Sequence, residues 1–252
     1  MHVLGLAPLE REEKQKALLK RGKLAGLLFF ASCILPILII LLFTLGVFVP
    51  ASPYPHLEQP VALVNTASST GTAFLVGESR LLTAKHVVDD LKINDVVELT
   101  FEKATPVINT KARLVWMDPT NPPEPEYFLH DVAVLELENP NDLPENFPRL
   151  FLGNSDGIST KDRVILVGYP NGLFSNTAGK ISNDKVKNYE LFQLDVGAWQ
   201  GNSGGPLILE DTEEVIGILV AGLSAEYQGI NFANKINNVT NLLQSHKIDV
   251  LK

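Results

Sequence analysis

Between residues 61 and 233 the chain is a succession of short apolar runs separated by turn-forming residues. Parallel strands need long crossover connections, usually helices, and none of the intervening segments has a helical pattern. This texture favours an antiparallel barrel or sandwich over an α/β sheet, and twelve candidate strands predict an all-β fold of two six-stranded antiparallel barrels. The candidate strands are residues 61–64, 72–76, 80–84, 95–101, 112–117, 131–137, 163–168, 176–182, 189–194, 206–209, 214–222 and 229–233.

The pattern changes near the carboxy terminus. Ile236, Val239, Leu242 and Leu243 recur at intervals of three and four residues, which is the spacing of one face of a helix. We therefore predict a C-terminal helix packed on the second barrel, so that residues 61–252 form one domain.

A charge-free apolar stretch covers residues 24–49. At about 1.5 Å per residue it is longer than the ~30 Å hydrocarbon core of a bilayer, and we predict one transmembrane helix. Pro36 would kink this helix, which membrane spans tolerate. The alternative is a cleaved signal peptide, since residues 49–51 loosely fit a cleavage site, but its apolar core would be unusually long.

The basic residues around this span predict its orientation. Six lysines and arginines lie within residues 1–23, and none lies between residues 50 and 79. Residues 1–23 should stay in the cytoplasm and the chain after residue 50 outside it. Residues 50–60 hold four prolines and are predicted to be a stiff, extended tether. We expect a single-pass membrane protein with an extracytoplasmic domain, periplasmic or at the cell surface of a bacterium.

Charge and cysteine content narrow the possible partners. Six of the 21 basic and three of the 29 acidic residues precede residue 51, so the remaining 15 and 26 leave the domain with a net charge of −11. This argues against nucleic acid as a partner. The only cysteine, Cys33, lies in the apolar stretch, so no intrachain disulfide is possible. The sequence indicates no metal site and no cofactor.

The sequence GNSGGPL at residues 201–207 presents Ser203 on a backbone that can turn tightly. The amides of Gly201 and Ser203 can converge on the oxygen of an attacked carbonyl, as in an oxyanion hole. The alternative is a glycine-rich hairpin before a strand. That alternative explains the glycines, but not the histidine and aspartate found in strand-end positions upstream.

Those two residues are His86 and Asp131. His86 follows the apolar run LLTA, and Asp131 opens the run VAVLEL. A serine hydroxyl needs a base to remove its proton, and the base needs a group that orients it. Each residue alone has a simpler interpretation, a structural histidine and an exposed aspartate that ends an acidic loop. Their order with Ser203 favours a catalytic triad.

With this order and GNSGGPL around the serine, the chain resembles the trypsin-like, chymotrypsin-fold serine peptidases. It is most similar to the protease domain of the bacterial high-temperature-requirement (HtrA) proteases. Six blocks carry this resemblance over about residues 61 to 245: GTAFLVGESRLLTAKHVV, HDVAVLELE, VILVGYPNGLFSNTAGKIS, QLDVGAWQGNSGGPL, EVIGILVAG and GINFA. The resemblance implies that His86 and Asp131 lie in the first barrel and Ser203 in the second, with protein or peptide substrates bound between them.

The resemblance also implies how a substrate binds. Backbone along Ile218, Leu219, Val220, Ala221 and Gly222 would pair with an extended peptide. Gly197 occupies the position at the base of the primary specificity pocket. HtrA proteases also carry an aspartate at the position of Asp195, so it does not indicate a trypsin-type basic-residue pocket. We expect a preference for small or medium apolar side chains.

Two sequence features found in related peptidases are not present in this sequence. No IVGG-like sequence opens the domain, so activation by a freed amino terminus is not expected. The chain ends at Lys252 without a PDZ domain, so a carboxy-terminal peptide sensor is not expected either. The family resemblance allows a trimer.

The sequence predicts a membrane-anchored serine endopeptidase acting on unfolded or exposed protein segments. The alternative is a protease-fold chaperone or scaffold with little turnover.

Overall fold

The computed structural model describes residues 52–222 and 230–251, together with Glu13, Lys16, residues 19–21, Lys23 and Ile37. The chain divides into two compact units, Met1–Pro53 and Tyr54–Lys252, and the fold below is that of the second. The predicted membrane span at 24–49 lies outside the described residues except for Ile37. Within the described part of the chain, no helix is both long and apolar enough to cross a membrane.

The first six strands close into an antiparallel barrel in the order β1-β2-β3-β6-β5-β4. Along β4 the apolar residues Val97, Leu99 and Phe101 are buried, whereas Glu98 between them is exposed. This two-residue period arises because one face of the strand lines the barrel core. The strands are β1 (Val61–Asn65), β2 (Thr70–Leu75), β3 (Arg80–Thr83), β4 (Val96–Phe101), β5 (Ile108–Met117) and β6 (Ala133–Leu137).

The second six strands form another closed antiparallel barrel, in the order β10-β11-β12-β9-β8-β7. The prediction of two six-stranded barrels is therefore confirmed. Several observed strands begin or end a few residues away from the predicted ones, which is the part of an element that sequence patterns define least. The strands are β7 (Arg163–Gly168), β8 (Ser175–Asn183), β9 (Leu191–Asp195), β10 (Pro206–Leu209), β11 (Val215–Gly222) and β12 (Asn231–Lys235).

Each barrel has its own apolar core, and a further cluster of buried residues joins the two barrels. Tyr169, which follows β7, is fully buried in this joint cluster. Its hydroxyl donates to the carbonyl oxygen of Val61 at 3.2 Å, and its ring packs edge-on against Phe174. The shared core fixes the position of one barrel against the other, which is what a site between them requires.

Two helices complete the domain. The predicted C-terminal helix is confirmed as α2 (Ile236–Ser245), which buries Ile236, Val239 and Leu243. A four-residue helix, α1 (Pro55–Glu58), lies within the predicted tether and buries Leu57. This part of the tether is helical rather than extended, because proline at the first helical position has a suitable φ and Leu57 gains a place in the core.

The loop between β5 and β6, residues 118–130, is rich in proline and acidic residues, a composition typical of a surface loop. Instead, Phe128 is buried and stacks on Phe232 of β12, with a ring-centroid distance of 6.2 Å. The carbonyl oxygen of Leu129 accepts a hydrogen bond from the Asn234 side chain at 2.9 Å. The loop that leads to Asp131 is therefore attached to the second barrel.

Candidate active site

The end of β3 and the start of β6 bring His86 and Asp131 together. These strands pair antiparallel, with Thr83 opposite Ala133. His86 lies in the turn just after β3, and Asp131 lies just before β6. Because the two strands are antiparallel, both residues lie at the same end of this strand pair. Nδ1 of His86 lies 2.6 Å from one carboxylate oxygen of Asp131, and the backbone N–H of His86 donates to the other at 2.9 Å.

Burial and charge act in opposite directions on His86. Burial alone would lower the pKa of its imidazole, because burial disfavours the charged form. The hydrogen bond that the His86 ring donates to Asp131, together with the charges of Asp131 and Asp89, outweighs burial and raises the pKa of His86 above its ordinary value. The Asp131 carboxylate is itself fully buried and His86 is one third exposed. The pair can therefore accept a proton from the cleft side and stabilise the resulting cation.

Ser203 lies in a tight bend that two glycines with positive φ make possible. Gly201 has φ +99° and Gly204 has φ +83°. A Cβ at Gly201 would lie 2.2 Å from the carbonyl oxygen of Tyr169, and one at Gly204 would lie 2.2 Å from that of Thr72. These positions require glycine for both conformation and space.

The same close packing brings the Ser203 bend against the first barrel, next to the chain that leads into His86. Gly204 packs on the backbone of Ala84, since its Cβ would lie 2.8 Å from the Ala84 nitrogen. The N–H of Thr72 in the first barrel donates to the carbonyl oxygen of Ser203 at 2.8 Å. The described side chains of His86 and Ser203 form no hydrogen bond with each other, whereas His86 and Asp131 do. In unliganded sites, catalytic hydrogen bonds are often long or poorly aligned.

The amides of Gly201 and Ser203 are available for an oxyanion. Among the described residues, neither amide donates a hydrogen bond, although the neighbouring amide of Asn202 donates to the carbonyl oxygen of Trp199 at 3.0 Å. Buried backbone N–H groups in folded proteins nearly always have a partner, so two free donors separated by one residue indicate a place for an acceptor from outside. This is the arrangement that an oxyanion hole needs.

The indole of Trp199 packs against the predicted specificity position, Gly197, which is itself exposed. A Cβ at Gly197 would lie 3.0 Å and 3.2 Å from two atoms of this ring, and Trp199 is 61% exposed. Trp199 was not among the predicted site residues, because nothing local in the sequence distinguishes it from other exposed loop residues.

The five residues predicted to pair with a substrate lie on β11, and their backbones are not equally available. Leu219 donates to Gly205 and accepts from Gly204, so both of its backbone groups are occupied. Ile218, Ala221 and Gly222 pair with β12, opposite Asn234, Phe232 and Asn231 respectively. Val220 is the extra residue at a bulge and has no partner on β12. On the other side of β11, the described pairing with β10 ends at Ile218, and Gly204 and Gly205 bind Leu219, so a substrate strand would meet this side of β11 beyond Leu219.

A second histidine–aspartate pair lies next to the first and was not predicted. Nδ1 of His130 is 3.0 Å from the fully buried carboxylate of Asp118. The backbone N–H and hydroxyl of Thr120 donate to the same carboxylate at 2.7 Å and 2.6 Å. Burial alone would raise the pKa of Asp118, but these hydrogen bonds and the His130 contact lower it below its ordinary value. The pair orders the chain directly before Asp131.

Comparisons with known proteins agree with this geometry. Residues 71–218 match the family described as trypsin-like peptidase domain. A probable periplasmic serine endoprotease, DegP-like, from Chlamydia muridarum is 31% identical over 206 residues, which is 78% of this chain and 36% of that protein. The periplasmic serine endoprotease DegP of Salmonella typhimurium is 30% identical over 185 residues, 70% of this chain and 35% of that protein.

A solved structure of the HtrA-type protease AlgW with a tripeptide is also similar. The TM-score is 0.62 at 28% identity, and the match covers 77% of this chain and 63% of the AlgW chain. The chain spans about a third of the length of the two curated relatives. On its fold, its matched residues and these relatives, the chain belongs to the trypsin-like peptidase domain family and is homologous to the DegP/HtrA proteases.

Proposed function

We propose that this chain is a serine endopeptidase in which Ser203 is the nucleophile, His86 the general base and Asp131 the group that orients His86. The observation that carries the proposal is the buried double contact between Asp131 and His86 at the edge where the Ser203 bend meets the first barrel. The two free amides of Gly201 and Ser203 support it, because both can donate to an oxyanion that forms beside Ser203.

The chemistry follows from these groups. Ser203 Oγ attacks the carbonyl carbon of a peptide bond while its proton moves to Nε2 of His86. The amides of Gly201 and Ser203 donate to the oxyanion. The C–N bond then breaks as His86 returns the proton to the leaving amine, which leaves an acyl group on Ser203. A water molecule that loses its proton to His86 attacks this ester, and Ser203 recovers the proton as the new carboxyl group leaves.

The proposed substrates are extended segments of unfolded or exposed protein. Such a segment can add to the sheet beside β11 beyond Leu219 through main-chain hydrogen bonds, which do not depend on its sequence. The side chain before the scissile bond would enter the pocket at Gly197 and Trp199. Because the indole of Trp199 occupies the space next to Gly197, we expect a small or medium apolar side chain to be preferred here.

Labelling with a fluorophosphonate probe, which reacts with activated serines, tests this activity on the full chain. We expect labelling of the wild type and of a Ser175→Ala control, and none of Ser203→Ala. Cleavage of an unfolded protein substrate should follow the same pattern. An unlabelled wild type that still binds unfolded protein would instead support the chaperone or scaffold function.

We also propose that residues 24–49 anchor the chain with its peptidase domain outside the cytoplasm. The six basic residues before this stretch support that orientation, and the curated relatives are named as periplasmic. In cells, the full chain should remain in the membrane fraction after alkaline extraction, and added protease should reach the domain in spheroplasts. Release of the full chain by alkaline extraction would contradict the anchor.

A further inference from the structure

Thr72, on β2 of the first barrel, binds the bend that carries Ser203 in the second barrel. Its hydroxyl donates to the carbonyl oxygen of Gly201 at 2.7 Å and accepts the N–H of Tyr169 at 3.1 Å. Its backbone N–H donates to the carbonyl oxygen of Ser203 at 2.8 Å. A hydroxyl has only one proton, so the N–H of Tyr169 directs that proton towards Gly201. Thr72 is fully buried, so water does not compete for these bonds.

The two carbonyl groups that Thr72 holds belong to the two residues whose amides are proposed to bind the oxyanion. The preceding peptide is held as well, because the N–H of Asn171 donates to the carbonyl oxygen of Gln200 at 2.7 Å. In a trans peptide the C=O and N–H point in opposite directions. Holding the Gln200 carbonyl on Asn171 therefore turns the Gly201 N–H to the opposite side, away from Asn171.

Gly201 needs such restraints more than other residues do. Its φ of +99° is accessible because it is glycine, and glycine also populates many other backbone conformations. The N–H of Gly201 belongs to the peptide before it and its C=O to the peptide after it, so the φ and ψ angles of Gly201 set the direction of the N–H relative to Ser203. A hydroxyl from the opposite barrel that binds this C=O restrains these two angles and couples them to the packing between the barrels.

We propose that Thr72 is a positioning residue. Its hydroxyl binds the carbonyl group of Gly201 and thereby keeps the backbone of Gly201 in the conformation in which the Gly201 and Ser203 amides converge on the oxyanion. This inference rests on the proposed peptidase function. Thr72 touches neither the substrate nor the reacting atoms, so its effect passes through Gly201. Since the oxyanion forms only after attack, losing the hydroxyl should lower kcat and leave KM nearly unchanged.

The test compares four variants of the full chain on one peptide substrate. Thr72→Val removes the hydroxyl and keeps the size, Thr72→Ser keeps the hydroxyl, and Thr72→Ala removes it without placing a methyl group against the Tyr169 amide. Thr110→Val is the matched control, because Thr110 is also buried in the first barrel and its hydroxyl binds Asp142 at 2.6 Å, away from Ser203. Thermal unfolding of each variant is measured alongside kcat and KM.

We expect Thr72→Val and Thr72→Ala to lower kcat by about 10- to 100-fold, since small misplacements of catalytic groups have effects of this size. KM should change by less than about threefold, because the ground state binds without the oxyanion. Thr72→Ser should restore most of kcat, and Thr110→Val should keep it. If Thr72→Val does not fold, Thr72→Ala and Thr72→Ser provide the same comparison.

If the wild type is active, any of three results would overturn the inference. The first is full turnover by Thr72→Val and Thr72→Ala, and the second is a Thr72→Ser variant that is as impaired as Thr72→Val. The third is a Thr110→Val variant that loses as much turnover as Thr72→Val. An inactive wild type, unlabelled by the fluorophosphonate probe, would instead contradict the proposed function on which this inference rests.

Discussion

The carboxylate of Asp131 holds His86 at two points, the ring nitrogen Nδ1 at 2.6 Å and the backbone N–H at 2.9 Å. An ionised carboxylate can only accept hydrogen bonds, so Nδ1 must carry a proton. In the neutral imidazole this leaves Nε2 unprotonated and able to act as a base. The second contact, to the backbone, fixes the turn after β3 and with it the direction of the ring.

Asp131→Asn tests this relationship with almost no change in shape. The asparagine NH₂ group would face Nδ1 and favour the tautomer protonated at Nε2, which cannot accept the Ser203 proton. We expect kcat to fall by about 10⁴-fold, the size of the effect of this substitution in the Ser-His-Asp triad of serine peptidases. Asp156→Asn, at an exposed aspartate, is the control and should keep full activity. A loss of less than tenfold for Asp131→Asn would contradict the proposed role.

The pH dependence of kcat/KM reports on His86. The base must be neutral, and the pKa of His86 is raised above its ordinary value of 6.5, so activity should fall as the pH drops through a midpoint above 6.5. Asp89→Asn removes one of the charges that favour the imidazolium and should move this midpoint to lower pH. Asp90→Asn is the control, because the Asp90 carboxylate binds Ser68 instead. An unchanged midpoint in Asp89→Asn would rule out this electrostatic effect.

Gly204→Ala and Gly157→Ala separate backbone strain from crowding. Both glycines have positive φ, +83° and +85°, so alanine should cost each about 1–2 kcal/mol. Only the Cβ at Gly204 would meet other atoms, among them the Thr72 carbonyl oxygen at 2.2 Å, and we expect a further loss of about 1–3 kcal/mol or more. Chemical denaturation measures both variants. Equal losses of stability would show that the bend around Ser203 can relax.

Trp199→Ala tests the specificity pocket. Removing the ring that packs against Gly197 should enlarge the pocket and raise kcat/KM for a leucine or phenylalanine before the scissile bond, relative to alanine, by about tenfold. Peptide-library cleavage measures the preference, and Phe151→Ala, at another exposed aromatic residue, should leave it unchanged. A wild-type profile dominated by lysine and arginine would contradict the predicted apolar preference, whatever the variant does.

Asp118→Asn tests the second histidine–aspartate pair through stability. The pKa of Asp118 is lowered from its ordinary value of 3.8, so its contribution is fully present above about pH 4 and is lost as the pH falls through the lower folded-state value. Asp118→Asn should cost about 1–3 kcal/mol at pH 7 and make the free energy of unfolding less dependent on pH below 4. In the exposed-site variant Asp156→Asn, the free energy of unfolding should depend on pH as it does in the wild type. The same dependence in Asp118→Asn would exclude a lowered pKa of Asp118.

The sequence predicted the barrels because short apolar runs separated by turn-forming residues, with no helical segments between them, indicate antiparallel strands, and this signal is local. It also predicted the residue types of the triad, because nucleophile, base and orienter each need particular chemistry. Thr72 and Trp199 could not be predicted in this way, because a threonine in a strand and a tryptophan in a loop are common. Nothing local in the sequence indicates that Thr72 binds the Gly201 carbonyl or that Trp199 packs against Gly197.

By itself the sequence determined that the domain is all-β, that it ends in a helix, and that Ser203, His86 and Asp131 are the residues with the required chemistry. Only the tertiary structure decided that Asp131 binds His86 twice, that Gly204 packs on the backbone before His86, and that Thr72 reaches across to the Ser203 bend. The reason is physical. Strand patterns arise from neighbours along the chain, whereas these contacts join residues far apart in sequence and exist only once both barrels have closed and share one core.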